Sequence, residues 1–383
     1  MSIKIFDTDS KNDLYLLHFD EYSEELNSYR GLIVEKNDNF ITSENGCVEN
    51  ELSKYSIVCS SFPFTPEYKL ENSREIFDNF INNSRVYHSY EGTVLRLYNY
   101  KENWFLSTHK KINALFSRWG SMKSFGQMFM DLLGIKDLQD INNFNLDKHK
   151  IYTFLIRTNI DNRIVCKYDD AKLFYIGSFD RNNNFKYSSD TFNNVDNVPE
   201  INIKTYEEAE NYMKNINFFK EQGIILISEK GDIIKFLNNN YSELFNLRKN
   251  ESNITKAYIM NVKDNTKKQF LDLYKEHVES CRNFDFIISN IASNIHKNYI
   301  NRYIKNNIAI VPPEQYSIMK SIYEQYLKRN KEYVYITKNL VISHIFKQET
   351  NNIFNLYFMY CNRENLYGNG NKVEEHIKNK ILI

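Results

Sequence analysis

The sequence has no C-x-x-C spacing: its five cysteines, Cys47, Cys59, Cys166, Cys281 and Cys361, are scattered over 383 residues. That argues against a disulfide framework and against a zinc cluster, both of which need cysteines at close, regular intervals. An apolar run fit for a signal peptide or a membrane span is missing as well, since Met1-Ser2-Ile3-Lys4 leads into charged residues. The expectation is a reducing intracellular compartment and no membrane partner. Glycine and proline are scarce, at 11 and 5, one side of a compositional bias that carries no information about mechanism. Net charge is absent too, with 49 Lys and Arg against 49 Asp and Glu.

Apolar residues are plentiful. At 42% hydrophobic and 15% aromatic the chain can fill cores, so disorder is not its default state. Its length exceeds the comfortable size of one core, and two domains are expected. The charges also divide: residues 251–383 hold 19 basic and 13 acidic groups, and the remainder 30 and 36, giving +6 beside −6. A basic back half suits a polyanion, and equally a merely solvated surface.

Short apolar runs set the front of the chain. Leu14 to Phe19, Arg30-Gly31-Leu32-Ile33-Val34-Glu35 and Ser56 to Phe64 read as strands, with a turn at Asn37-Asp38-Asn39. Leu70, Ile76, Phe77, Phe80 and Ile81 predict a helix within 67–84, and Phe125, Met128, Phe129 and Leu132 another within 124–133. Strands are expected at 151–156, 163–166 and 172–179, a helix at 207–215, and a hairpin from 224–228 to 232–237 around Glu229-Lys230-Gly231. Past residue 250 the texture turns helical: Phe270, Leu273, Tyr274 and Val278 lie at helix spacing, as do Ile318, Ile322 and Tyr326 behind Pro312-Pro313. The fold class is therefore α+β, a mainly antiparallel-sheet domain over residues 1–250 followed by an all-helical domain over 251–383. The tail after Gly368-Asn369-Gly370 reads as loose or as a last short helix.

The chain is organised around Ser89-Tyr90-Glu91-Gly92-Thr93-Val94-Leu95-Arg96. A carboxylate and a glycine stand where a loop enters a buried strand, and Asn103 to Lys111 supplies the return strand of a hairpin. Glycine lets a backbone approach closely, so such a turn can dock a nucleotide or a metal. It can equally be a plain turn.

Flanking runs in fixed order give this stretch its weight. Arg30-Gly31-Leu32-Ile33-Val34 and Ile57-Val58-Cys59-Ser60-Ser61-Phe62-Pro63 precede it, Tyr152-Thr153-Phe154 with Asn162-Arg163-Ile164-Val165 follows, and Gln222-Gly223 stands ahead of Lys235-Phe236-Leu237. In that order they resemble the covalent nucleotidyltransferase fold of ATP-dependent RNA ligases of the phage tRNA-repair type, which carry a helical domain behind the adenylation domain. The resemblance spans about 210 residues of the front; the back matches only in being helical.

The resemblance implies a lysine that takes AMP from ATP, with ATP and magnesium as cofactors and RNA as partner. This sequence departs from the family on those residues. The motif Lys-x-Asp/Glu-Gly falls on Ser89-Tyr90-Glu91-Gly92, so the nucleophile's position is Ser89, and a hydroxyl with no base beside it cannot replace a deprotonated amine. Thr153 and Gln222 stand where the family has glutamates, and Leu237 where it has a second lysine. An amide holds a hard cation less well than a carboxylate. Arg30, Glu91, Gly92, Arg163 and Lys235 remain as nucleotide-binding candidates, with no metal ligand assigned and no catalytic residue at the motif itself.

The expected function is thus an RNA-ligase-like protein without adenylation activity, binding nucleotide or RNA ends or serving as a protein partner in RNA processing or a viral assembly. An active ligase with a relocated nucleophile, Lys110 or Lys111, is the second reading, and a structural scaffold the third. His88 and His109 are further acceptors to weigh, and Arg118 with Trp119 a pair able to stack on bases. Arg302, Lys305, Lys328 and Arg329 are the candidates for an RNA contact, although helix surfaces are commonly charged for solubility alone. The heavy use of Asn, Ile, Lys and Tyr is the bias of an AT-rich genome such as that of a large DNA virus. The expected location is cytoplasmic, including a viral factory or virion.

Overall fold

The computed structural model describes residues 3–19, 24–36, 47–48, 55–60, 64–158, 162–180, 185–186, 192, 194–229, 231–328 and 336–367. Phe62, Pro63, Arg329, the turn at 37–39, Lys230 and the tail beyond 367, all named above, lie outside the described residues. The chain divides into two compact units, Met1–Phe245 and Asn246–Ile383.

The first unit holds three five-stranded sheets. The first sheet comprises β1 (Ile3–Asp9), β2 (Leu14–Phe19), β3 (Leu32–Glu35), β4 (Cys47–Val48) and β5 (Ser56–Cys59), in the order β4-β1-β2-β3-β5. Next come β6 (Glu67–Lys69), α1 (Arg74–Ile81), β7 (Ser84–Ser89), β8 (Thr93–Tyr100), β9 (Asn103–Ser107), α2 (Phe125–Leu133), β10 (Lys150–Arg157), β11 (Lys172–Asp180) and β12 (Phe185–Lys186). The unit closes with β13 (Glu200–Ile201), α3 (Tyr206–Asn215), β14 (Gly223–Ser228), β15 (Ile233–Leu237) and α4 (Asn239–Phe245). The second sheet runs β12-β11-β10-β8-β9 and the third β13-β7-β14-β15-β6. All these pairings are antiparallel except β15 with β6.

Period-two alternation explains how the sheets bury themselves. On β8, Leu95 and Leu97 face one way and join Phe129 of α2 with Phe154 and Ile156 of β10 in one core. Tyr98 and Tyr100 face the other way, into a core shared with Leu14, Leu16 and Ile33 of the first sheet and Tyr87, Ile227 and Ile233 of the third. Helices α1 and α3 cover the third sheet through Phe77, Ile81, Ala209 and Met213. Full burial of each such side chain contributes about 1.5–3 kcal/mol. Ser124 caps α2 by accepting from the Gln127 amide at 3.2 Å, and Gly134 ends it in the left-handed region at φ 70°. A reciprocal Thr205–Glu208 capping box opens α3.

Two expectations are corrected. Residues 163–166 are a loop, because their amides bind a side chain rather than a neighbouring strand. The helix expected within 67–84 is confined to α1, with strand β6 and a short 3₁₀ turn (Leu70–Asn72) ahead of it. Glu67 to Lys69 extend because they pair with Lys235 to Leu237.

The second unit is helical among its described residues: α5 (Ile254–Lys263), α6 (Lys267–Leu273), α7 (Val278–Tyr299), α8 (Pro313–Lys328), α9 (Lys338–Phe346) and α10 (Thr350–Tyr367). An α+β fold of antiparallel sheets followed by helices is what the sequence implied. Among the described residues no helix is long and apolar enough to cross a membrane.

Candidate functional site

Ser89 ends β7, Gly223 opens β14 beside it, and Tyr90, Glu91 and Gly92 carry the chain over to β8. Antiparallel pairing sets Ser89 against Gly223, and the backbone amide of the preceding Gln222 donates to the Ser89 carbonyl at 2.6 Å. The fully buried Ser89 hydroxyl donates to Gln222 Oε1 at 3.3 Å. Gln222 Nε2 in turn donates to the Tyr241 hydroxyl at 2.7 Å, and that hydroxyl donates to Glu91 Oε2 at 3.1 Å. Ser89 and Gln222 therefore touch, as a pair of neutral groups.

Glu91 is 7% exposed. Its carboxylate accepts from the amides of Val165 at 2.8 Å and Cys166 at 3.1 Å, and from that of Ile164. Its own amide donates to the Tyr168 hydroxyl at 3.0 Å. Burial pushes the Glu91 carboxyl upward in pKa, while the three amides and Tyr241 pull the other way. Both oxygens are taken by the chain itself. Arg163 braces the same loop, with Nη1 donating to the Val165 carbonyl at 3.2 Å.

The close approach that Gly92 permits is likewise internal. A Cβ there would stand 2.4 Å from the Ile156 carbonyl oxygen of β10, and one on Gly223 would stand 2.0 Å from that of Phe236. These glycines let strands close on one another.

A second cluster lies beside the loop. The His88 ring meets Glu221 through Nδ1 at 2.6 Å and the Tyr212 hydroxyl at 2.9 Å, on the side of β7 that α3 covers and opposite to Ser89. The Tyr90 ring lies between those of His88 and Phe174, at 5.7 Å and 5.1 Å and nearly parallel to both. Arg157 sits over the Tyr168 ring at 4.4 Å and over Tyr90 at 5.5 Å.

The other candidates are dispersed. Lys235 pairs with Glu67 at 2.8 Å across β15 and β6. Arg30 stacks on Phe64 at 5.5 Å. Lys111 pairs with Asp7 at 3.0 Å, and Lys110 lies over the Phe6 ring at 5.9 Å. Both lysines thus lean on β1, and among the described residues no hydrogen bond or ion pair joins them to Ser89 or Glu91. Arg302 stacks on Tyr316 at 5.1 Å, and Lys305 and Lys328 are exposed at helix ends. No group of three or more His, Cys, Asp or Glu able to hold a metal occurs among the described residues.

Arg96 was not singled out from the sequence, though a guanidinium inside the apolar run Val94 to Leu97 is itself a signal. It is 1% exposed. Nη1 donates to the carbonyls of Gly31 at 2.6 Å and Ser60 at 3.1 Å, and Nη2 to that of Thr108 at 2.8 Å. Arg96 thereby ties the first sheet to the β8–β9 hairpin. Its Nε, Ser107 Oγ and Thr153 Oγ1, side by side on three adjacent strands, are buried without a partner. Burial, reinforced by Arg30 and Arg96, pushes His109 well below the ordinary histidine range; burial, with Lys110 and the same arginines, lowers His18 to about 4.

No protein-family model matches the chain. It is similar to two curated viral proteins, both described as immediate-early protein ICP-46 homologs. That of Invertebrate iridescent virus 6 is 26% identical over 277 residues, 66% of this chain and 61% of the relative. That of Invertebrate iridescent virus 3 is 28% identical over 241 residues, 62% of this chain and 51% of the relative. The match thus spans between half and two thirds of each relative's length. Among solved structures, a putative ATP-dependent DNA ligase from Aquifex aeolicus is 14% identical, covering 73% of this chain and 70% of its own, with a TM-score of 0.42. An archaeal ATP-dependent RNA ligase is 11% identical at 68% and 62% coverage (TM-score 0.41), and a Naegleria gruberi RNA ligase with pyrophosphate 10% at 63% and 97% (TM-score 0.32).

Proposed function

We propose that residues 1–250 form an RNA-ligase-like nucleotidyltransferase domain that no longer transfers AMP, and that the chain uses this scaffold, with the helical residues 251–383, to bind RNA ends. The observation that carries this reading is the Ser89–Gln222 hydrogen bond. Positions that match a nucleophilic lysine and a metal-placing glutamate in the resembled family share one spot, as they must in such a site, yet they hold two neutral groups that satisfy each other. A hydroxyl with no base beside it does not attack an α-phosphate, and an amide places a magnesium ion less well than the carboxylate it replaces.

The surroundings fit neither ATP nor magnesium. Glu91 already accepts from three amides and a phenol, so a cation would have to break those bonds. Lys235, the remaining lysine of the late motif, is neutralised by Glu67. ATP and magnesium therefore enter no step of this account. The two ICP-46 homologs support a viral setting, and we place the protein in the cytoplasm of an infected cell.

The test is a pair of assays on the full chain. Incubated with ATP, magnesium and labelled pyrophosphate, it exchanges no label into ATP, while a 5′-phosphorylated RNA is retained in a salt-sensitive binding assay. Exchange would contradict the loss of adenylation. Failure to retain RNA would contradict the binding role.

A further inference from the structure

Positions 268, 271, 275, 278 and 282 follow one another in steps of three and four and read Lys, Leu, Lys, Val, Arg. In one unbroken helix that spacing would keep side chains on one face; here Tyr274, at φ −112° and ψ 59°, interrupts the helix, and a groove is what brings the positions together. In the helical unit the stripe runs from α6 through a 3₁₀ turn (Lys275–His277) into α7, where it lines an open groove of about 670 Å³. Val262, near the end of α5, adds to the apolar part of the lining, and Asp272 is the one acidic residue in it.

Four cations line this groove, and one of them, Lys267, is paired with Asp285 at 2.6 Å. Lys268, Lys275 and Arg282 are exposed and make no hydrogen bond or ion pair with any described residue. Elsewhere in the same unit Lys320 pairs with Glu324 one turn away, at 3.7 Å. Here three like charges converge on one concavity, which focuses a positive potential into it. Lys268, Lys275 and Arg282 stand in succession on α6, the 3₁₀ turn and α7, so their charges are spread in a row along the lining. Such a row matches charge repeated along a line better than a single compact anion.

We infer that this groove binds the phosphodiester backbone of a single-stranded nucleic acid, with Lys268, Lys275 and Arg282 on its phosphates and its bases against Leu271, Val278 and Val262. The inference rests on the RNA-end reading for the kind of partner and on the helical unit alone for the place. It moves the expected contact away from Arg302, whose guanidinium stacks on Tyr303 and Tyr316.

The experiment is fluorescence anisotropy of labelled 12-nucleotide oligouridylate and its deoxy counterpart, titrated with the full chain over a series of salt concentrations. The Lys268→Gln, Lys275→Gln, Arg282→Gln variant weakens binding at least tenfold, and its slope of log affinity against log salt falls by about 2, since each neutralised phosphate contributes about 0.7 on a single strand. The Arg302→Gln, Lys305→Gln, Lys328→Gln variant changes affinity less than twofold. The RNA and DNA arms assign the sugar, and groove-dependent binding of either supports the inference. Absence of salt-dependent binding by the wild-type chain overturns it, as does equal competition from polyglutamate at matched charge. Binding that survives the groove substitutions overturns the groove and leaves the RNA-end reading standing.

Discussion

The loop at Glu91 and the groove at Lys268 use charge in opposite ways. At Glu91 a carboxylate and its neighbours are closed on themselves: the amides of 164–166 and the Tyr241 hydroxyl donate to its oxygens, and Ser89 and Gln222 extend the chain of bonds from Tyr241. In the groove, Lys268, Lys275 and Arg282 reach solvent with no partner among the described residues. A polar group that is buried and satisfied holds a fold together, whereas one left exposed and unpaired in a concavity is available to a ligand. On the reading proposed here the most motif-like stretch of this chain serves the fold, and the plain-looking helical stretch is the proposed binding surface.

The largest effect that can break this contrast is expected at Glu91. Glu91→Ala leaves the buried amides of Val165 and Cys166, the half-buried amide of Ile164 and the Tyr241 hydroxyl without their acceptor, and at about 1 kcal/mol or more each the loss is about 4 kcal/mol or more. Both tryptophans, Trp104 and Trp119, lie in the front unit, so urea unfolding followed by tryptophan fluorescence reads that unit alone. A midpoint unchanged from wild type, with the 164–166 amides still protected from hydrogen exchange, would show that the carboxylate is free for a ligand after all.

Acid has the next largest effect. His18 is held neutral, its pKa lowered from 6.5 to about 4 by burial and then by Lys110, Arg30 and Arg96, and His109 is lowered further. The unfolded chain binds these protons first, so stability is complete above about pH 6.5 and falls as pH drops towards 4. His18 alone accounts for about 2–3 kcal/mol at the lower end. The tryptophan-monitored midpoint should fall across that window, and less so in His18→Gln. A midpoint flat from pH 7 to 4.5 would contradict the neutral assignment. The smallest effect is expected in the groove, where the three glutamine substitutions should move stability by no more than about 0.5 kcal/mol and alter only binding.

Much of the fold was legible, for local reasons. Strands β2, β10, β11, β14 and β15 follow from alternation and turn residues, and α3 from its capping box. The misread elements depend on partners distant in sequence. Arg163 to Cys166 has the β-branched, apolar look of a strand, but its amides are held by a carboxylate more than 70 residues earlier. Three-residue β6 exists only because β15 lies beside it. Arg96 was passed over although it is a charge in an apolar run, and its acceptors at Gly31 and Ser60 could not be read from any window around it. Lys268, Lys275 and Arg282 were not among the residues picked from the sequence, because only the groove separates unpaired cations from an ordinary solvated face.

The most direct test of the central claim is intact-mass spectrometry of the full chain after incubation with ATP or GTP and magnesium or manganese, beside a Lys110→Ala, Lys111→Ala variant and a ligase that charges under the same conditions. The account predicts an unmodified mass for this chain while the control ligase gains a nucleotide. A nucleotide adduct on the wild-type chain would contradict it, and loss of that adduct in the double variant would name the lysine that took over from Ser89.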